Sequence, residues 1–182
     1  MKKTALITGI SSQDGAYLSK LLLSKNYEVV GLVRSIQNTS LPNLDYLGIQ
    51  NNVKIECVDL LDVSGLTILF KKYNFTEVYN LSAQSSVGLS FSNPLTTINY
   101  NSISVINLLE IIRLSQDRIK LLQPVSSEMY GGNLKLPINE KSIIKLNSPY
   151  AISKALAYWS VKNYRESYGL CASNAILFNH ES

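Results

Sequence analysis

The stretch "TALITGISSQDGAYL", residues 4–18, decides the fold. It opens on a short apolar run, meets Gly9 at once, and from Ala16 onward reads as a helix. Strand, glycine turn and helix in immediate succession place unpaired N–H groups and the positive end of a helix dipole at the turn, an arrangement that receives a pyrophosphate. A dinucleotide loop of the usual spacing carries glycine at 9, 12 and 15. Gly9 permits the tight turn and Gly15 lets helix and strand approach, but the middle position is Ser12. Serine adds a hydroxymethyl group and can donate to a phosphate oxygen, so weakened binding is the expectation. An ordinary strand-to-helix turn with no ligand is the alternative.

Outward from this unit, short β-rich apolar runs at residues 5–8, 28–33, 53–58, 77–81, 119–125 and 172–177 alternate with segments of helical period. The helices are expected at 16–24, 64–72, 103–114 and 149–168, the third with an apolar face of Ile103, Ile106, Leu109 and Ile112. Near-continuous apolar strands between helices predict an α/β fold with a doubly wound, mostly parallel sheet covered on both faces. That is the NAD(P)-binding Rossmann fold, whose ligand crevice lies at the carboxyl ends of the strands. The polar, aperiodic segment 35–52 reads as a loop with at most a short helix.

The chain has 182 residues, enough for one domain with a sizeable core, and with 46% hydrophobic and 16% charged residues it does not have the composition of a disordered protein. Lys and Arg number 17 against 13 Asp and Glu, a net +4 with no basic run longer than two. That spread suits small anionic ligands and argues against a nucleic-acid partner. Cys57 and Cys171 lie in apolar runs and are expected to be buried free thiols in a reducing compartment; no spacing suggests a metal site. The apolar stretch after "MKK" is too short for a signal peptide and no run has membrane-spanning length, so a soluble cytoplasmic protein with no membrane partner is expected.

Four further segments carry chemistry. The second strand ends in "GLVRS", and Arg34 stands where a carboxylate would receive the ribose hydroxyl of NAD; an arginine suits a 2′-phosphate and favours NADP, unless it is only a solvated strand end. Asp59 and Leu60, closing the third strand, could frame an adenine ring. In "NSPYAISKALAYW", residues 147–159, Ser148 can cap a helix, Pro149 suits its first turn, and Tyr150 and Lys154 fall on one face. A lysine beside a phenol stabilises the phenolate and makes it a base. Upstream, "VSSEMYG" delivers Ser126, Ser127 and Glu128 at the end of the fifth strand. A glycine loop, a strand-end hydroxyl and a Tyr/Lys helix in this order make a hydride-transfer site.

With these residues in place the chain resembles the extended short-chain dehydrogenase/reductases and, among them, the GDP-mannose 4,6-dehydratase family. The matching stretches are "GISSQDGAYL", "YEVVGLVRS", "VDLLD", "EVYNLSAQSSVGLSF", "SSEMYG", "SPYAISKALAYW", "NYRESYG" and "ILFNHES". The resemblance implies NADP contacts from Gly9, Ile10, Ser11, Ser12, Gln13, Asp14 and Gly15, from Arg34, Asp59 and Leu60, from Leu81, Ser82, Ala83, Gln84 and Ser85, and from Lys154 and His180. It implies catalytic roles for Ser126, Glu128, Tyr150 and Lys154. Ser85, Ser126, Glu128 and Asn179 would face the sugar nucleotide, GDP-mannose. The implied reaction oxidises C4, eliminates water across C5 and C6, and returns the hydride to C6. Related dehydratases with other nucleotide sugars carry an aspartate before this glutamate, whereas this chain has Ser127.

Four positions depart from the family pattern. Ser12 replaces glycine and Ser126 replaces threonine, Thr96 stands for a cofactor-contacting tyrosine, and Ser86 for a histidine. Family members also continue past "NHES" into a domain that binds the nucleotide, so residues 1–182 are expected to form a single NADP-binding domain that alone turns over little or no sugar. An epimerase or dehydratase with another nucleotide sugar, and a non-catalytic NADP-binding module, remain alternatives. Family members are commonly dimers or tetramers, and Tyr158, Trp159 and Tyr164 are candidates either for such an interface or for the core.

Overall fold

A computed structural model describes residues 2–35, 41–115, 118–132 and 136–180. Residues 36–40 of the expected loop, and Glu181 and Ser182 of "ILFNHES", lie outside the described residues. All six expected strands form: β1 Thr4–Thr8, β2 Glu28–Val33, β3 Lys54–Cys57, β4 Glu77–Asn80, β5 Lys120–Ser126 and β6 Ala172–Leu177. They pair parallel throughout, in the order β3-β2-β1-β4-β5-β6. The order reverses between β1 and β4, which opens the crevice of a doubly wound sheet at the ends of those strands.

Seven α-helices complete the described structure: α1 Gln13–Ser24, α2 Pro42–Tyr46, α3 Val63–Lys72, α4 Val87–Ser92, α5 Pro94–Ile98, α6 Ser104–Leu114 and α7 Pro149–Tyr168. On one sheet face α3, α6 and α7 bury Leu6, Val30, Val78, Leu121 and Val125 in the larger core. On the other face α1 and α2 cover Ala5, Ile7, Val29 and Val33. Over β4, β5 and β6 that second face leaves Tyr79, Leu122 and Ala175 only partly buried.

Two expectations are corrected, the inward face of helix 103–114 and the burial of the cysteines. Helices α4 and α5 occupy a segment that has no helical period of its own in the sequence, and they run through a π-helical turn, Asn99–Ile103, into α6. The wider turn rotates the helix phase, so Ile103 is 39% exposed and the inward face of α6 is Val105, Leu108, Leu109, Ile111 and Ile112. The cysteines are exposed. Cys57 ends the edge strand β3, which is not buried on both sides, and its thiol donates to the Arg34 carbonyl at 3.3 Å; Cys171 lies in the link into the other edge strand, β6. Segment 35–52 contains the short helix allowed for it, α2, and a single 3-10 turn at Gln50–Asn52.

A polar run crosses the sheet just below the crevice. Thr8 Oγ1 donates to Asn80 Oδ1 at 2.6 Å, Asn80 Nδ2 to Gln123 Oε1 at 2.6 Å, and Gln123 Nε2 to the Pro124 carbonyl at 2.8 Å. Thr8, Asn80 and Gln123 are all buried. Groups so placed stay folded only because each finds a partner.

Candidate active site

The cleft at the strand ends has two halves. The first, about 640 Å³, is lined by Thr8, Gly9, Ser11, Ser12, Arg34, Asp59, Leu60, Leu81, Ser82, Ala83 and Tyr100, among others. The second, about 800 Å³, is lined by Asp14, Leu81, Ala83, Ser85, Ser126, Tyr150, Lys154, Asn179 and His180 and their neighbours. Leu81 and Ala83 belong to both, so the halves adjoin across the turn after β4.

Gly9 has φ +66°, and a Cβ there would sit 2.8 Å from the Leu81 carbonyl carbon and oxygen. A Cβ on Gly15 would lie 2.4 Å from the Gly9 carbonyl oxygen. Both glycines are therefore required by the backbone itself. Ser12 is the N-cap of α1, its Oγ accepting the Gly15 N–H at 3.1 Å. That hydroxyl still has a proton to donate, and the serine in the middle of the loop stabilises the start of the helix beside the cleft. Ile10 has its side chain wholly buried in the smaller core, and only its backbone adjoins the loop. The exposed Gln13 is the first residue of α1.

At the end of β2, Arg34 stacks its guanidinium on the Tyr100 ring, Cζ 5.0 Å from the centroid. Tyr100 in turn donates its hydroxyl to Asp59 Oδ2 at 3.1 Å, and the Leu61 N–H donates to Asp59 Oδ1 at 2.9 Å.

Gln84 is turned away from the cleft. Its Nε2 donates to the Ser86 carbonyl and to Thr97 Oγ1, both at 3.0 Å, and its Oε1 accepts the Ser86 N–H. The Gln84 side chain thus braces the turn. Asn101 makes the matching brace: Oδ1 accepts the Gln84 N–H at 2.8 Å, while Nδ2 donates to the Gln84 carbonyl at 2.9 Å and to Ser153 Oγ at 3.1 Å. Sequence reading missed both Tyr100 and Asn101. The signal present was two polar-tipped side chains just ahead of the helix expected at 103–114.

Helix α7 starts as its sequence predicts. Ser148 Oγ accepts the Ala151 N–H at 3.0 Å, Pro149 fills the first turn, and Gly169 closes the helix at φ 70°. Tyr150 and Lys154 are 8% and 6% exposed. Lys154 Nζ lies 5.8 Å from the Tyr150 ring centroid and donates to the Pro124 carbonyl at 3.3 Å, the same oxygen that ends the polar run beneath the cleft. Burial holds the Lys154 ammonium down to about 8. Burial pushes the Tyr150 phenol up, the Ser126 hydroxyl pulls it partly back, and the charge of Glu128 adds to the rise. The lysine lies against the ring face, so burial outweighs the lowering that adjacency alone would bring.

Ser126 ends β5 and its Oγ accepts the Glu128 N–H at 3.2 Å. Glu128 is exposed and lies outside the lining of the cleft, in the 3-10 turn Ser127–Tyr130. Asn179 and His180 follow β6. His180 Nε2 is 2.9 Å from Asp14 Oδ2 and Nδ1 is 3.0 Å from the Phe178 carbonyl. Two acceptors facing both ring nitrogens, the carbonyl first and then the carboxylate, raise the His180 pKa. The expected interface aromatics divide: Tyr158 and Tyr164 pack against the core, while Trp159 is 50% exposed. Among the described residues, no helix is long and apolar enough to cross a membrane, and no group of three His, Cys, Asp or Glu is placed to hold a metal.

A family model described as GDP-mannose 4,6 dehydratase matches residues 6–182. The GDP-mannose 4,6-dehydratase of Vibrio cholerae is 43% identical over all of this chain and 51% of its own length. That of Dictyostelium discoideum is 41% identical over all of this chain and 53% of its own. Among solved structures, the UDP-glucose 4-epimerase of Brucella ovis in complex with NAD superposes with a TM-score of 0.86 at 24% identity, over 97% of this chain and 52% of that one. That last likeness concerns the fold, whereas the first three bear on descent; the chain spans about half the length of the curated relatives it matches. On this evidence the chain belongs to the GDP-mannose 4,6-dehydratase family.

Proposed function

We propose that this chain is the cofactor-binding and reacting portion of an NADP-dependent GDP-mannose 4,6-dehydratase. The observation that carries the reading is the meeting of Ser126, Tyr150 and Lys154 in one cavity that adjoins the cradle of Gly9, Ser12 and Arg34. The cradle suits a dinucleotide. Gly9 lets the loop backbone approach the turn after β4 where a Cβ would collide with it, the N-terminus of α1 adjoins the cavity, and each half has the size of a small-molecule site. Gly9, Ser11, Ser12, Asp14, Leu81, Ser82, Ala83 and Ser85 would hold the pyrophosphate and riboses, with Arg34, Asp59 and Leu60 at the adenosine end.

Held by these residues, NADP would supply the reversible hydride chemistry that oxidation at C4 and reduction at C6 of the sugar require. The chain supplies the proton chemistry. Tyr150 would take the proton of the C4 hydroxyl, and Ser126 would donate to the same oxygen, since its own proton is not committed to Glu128. Lys154, still protonated at neutral pH, supplies the positive charge that a phenolate needs in a buried place. The 4-keto group then acidifies C5, so Glu128 at the rim is a sufficient base there, and water leaves from C6. His180 would lie over the nicotinamide half and Asn179 toward the sugar.

The test joins this chain to the C-terminal half of the Vibrio cholerae relative and supplies GDP-mannose and NADP. Loss of one water from the sugar nucleotide by mass spectrometry supports the reading. An inverted sugar of unchanged mass, or NADP binding without product, overturns it. Phe91, Leu95, Ile103, Ile152, Leu156 and Trp159 are exposed on elements that adjoin one another, which supports association of copies of the chain through α4, α5 and α7.

A further inference from the structure

Three consecutive side chains of the π-helical turn divide between helix α7 and the cleft. Asn101 and Ser102 bond to Ser153 on α7, whereas Tyr100 reaches the nucleotide half. The Tyr100 ring carries the Arg34 guanidinium on its face at 5.0 Å. Stacking uses the face of the guanidinium and leaves its N–H edge free. Among the described residues no carboxylate or carbonyl holds that edge. The carboxylate close by is Asp59, and it is already engaged at both oxygens, by the Leu61 N–H at 2.9 Å and by the Tyr100 hydroxyl at 3.1 Å. One side chain thus does two things. It holds a cation with its donors open, and it binds the carboxylate that would otherwise repel a phosphate or accept from a ribose hydroxyl.

We propose that Tyr100 is the positioning residue that makes this cleft prefer a cofactor phosphorylated on its adenosine ribose, acting through Arg34 and Asp59. The proposal rests on the reading of the cleft as a nicotinamide dinucleotide site. It separates the two halves of the tyrosine: the ring supports Arg34, and the hydroxyl restrains Asp59.

The test measures NADP and NAD affinities by calorimetry for the chain and for Tyr100→Leu, Tyr100→Phe and Arg34→Met, each first checked for an unchanged melting transition. Tyr100→Leu is expected to lower the NADP-over-NAD preference about three- to thirty-fold, the range of a partly desolvated cation–π contact, with NAD affinity nearly unchanged. Tyr100→Phe keeps the ring and should retain most of the preference. Raised salt should weaken NADP binding to the parent chain more than to Tyr100→Leu. If Arg34→Met removes the preference while Tyr100→Leu keeps it, the role given to Tyr100 is wrong and the cleft reading stands. If Tyr100→Phe loses as much as Tyr100→Leu, the ring is not the support. If the parent chain does not distinguish NADP from NAD, or binds neither, both the proposal and the reading beneath it fall.

Discussion

At the end of the cleft that we propose holds the nucleotide, the groups on offer are backbone N–H donors, two obligatory glycines and a guanidinium. At the end proposed to carry the reaction they are side chains, two of them more than nine-tenths buried, and both have shifted pKa values. The difference follows from the tasks. Holding a dinucleotide needs fixed charge and close backbone approach, whereas moving protons needs groups whose ionisation burial can tune. Substitutions should therefore separate binding from turnover, and each of the following either widens or closes that gap.

The widest separation is expected from Tyr150→Phe. In the joined, full-length form it should lower the rate of product formation by about 10²–10⁴-fold, the range for one general base, while NADP affinity stays within about threefold. A fall of less than about tenfold would hand the proton to another group. Gly15→Ala should act from the other end. Its Cβ would stand 2.4 Å from the Gly9 carbonyl oxygen, so the loop must shift, at a cost of about 1–3 kcal/mol in stability. NADP affinity should drop at least tenfold, and calorimetry showing none would mean the turn does not cradle the cofactor.

Lys154 tests the reacting half without substrate. Burial lowers its pKa from 10.5 to about 8, so across that interval the folded chain has released a proton that the unfolded chain still binds. Stability must then rise with pH through this window relative to Lys154→Met, which has no such proton. Melting curves from about pH 7 to 10.5 that run parallel for the two proteins would show that the lysine is not desolvated. The smallest effect belongs to His180, which is exposed and ties the segment after β6 to the start of α1 through Asp14. Its pKa is raised in the fold, so its contribution is complete below the ordinary value of about 6.5 and fades as pH climbs past the raised one. His180→Asn should melt lower than the parent near about pH 5.5 and equal to it by about pH 8.5. A difference that grows with pH would refute the pairing with Asp14.

What was legible in the sequence was local. The strands were readable from apolar runs, and the Tyr150/Lys154 face from a spacing of four on a capped helix. The glycine turn was readable because strand and helix abut it. What was not legible depends on residues far apart in the chain. Tyr100 meets Asp59 across 41 positions and Asn101 meets Ser153 across 52, and no period encodes such meetings. The phase of α6 was misjudged for a related reason. A π-helical turn adds a residue that a strict 3.6 repeat does not count, and Ile103 fell on the wrong side of it. Position in a motif says nothing of where the Gln84 and Ile10 side chains go, and the fold uses them for bracing and for the core.

The buried run through Thr8, Asn80 and Gln123 also sets a tolerance on the whole site. Sliding β5 by one residue along β4 would aim Gln123 at the opposite face, leave the Asn80 amide without an acceptor in apolar surroundings, and carry Ser126 out of the cavity in the same step. An assembly error and a functional error are then one and the same event. A chain that completes its sheet has, by that act, brought its reacting end into gauge.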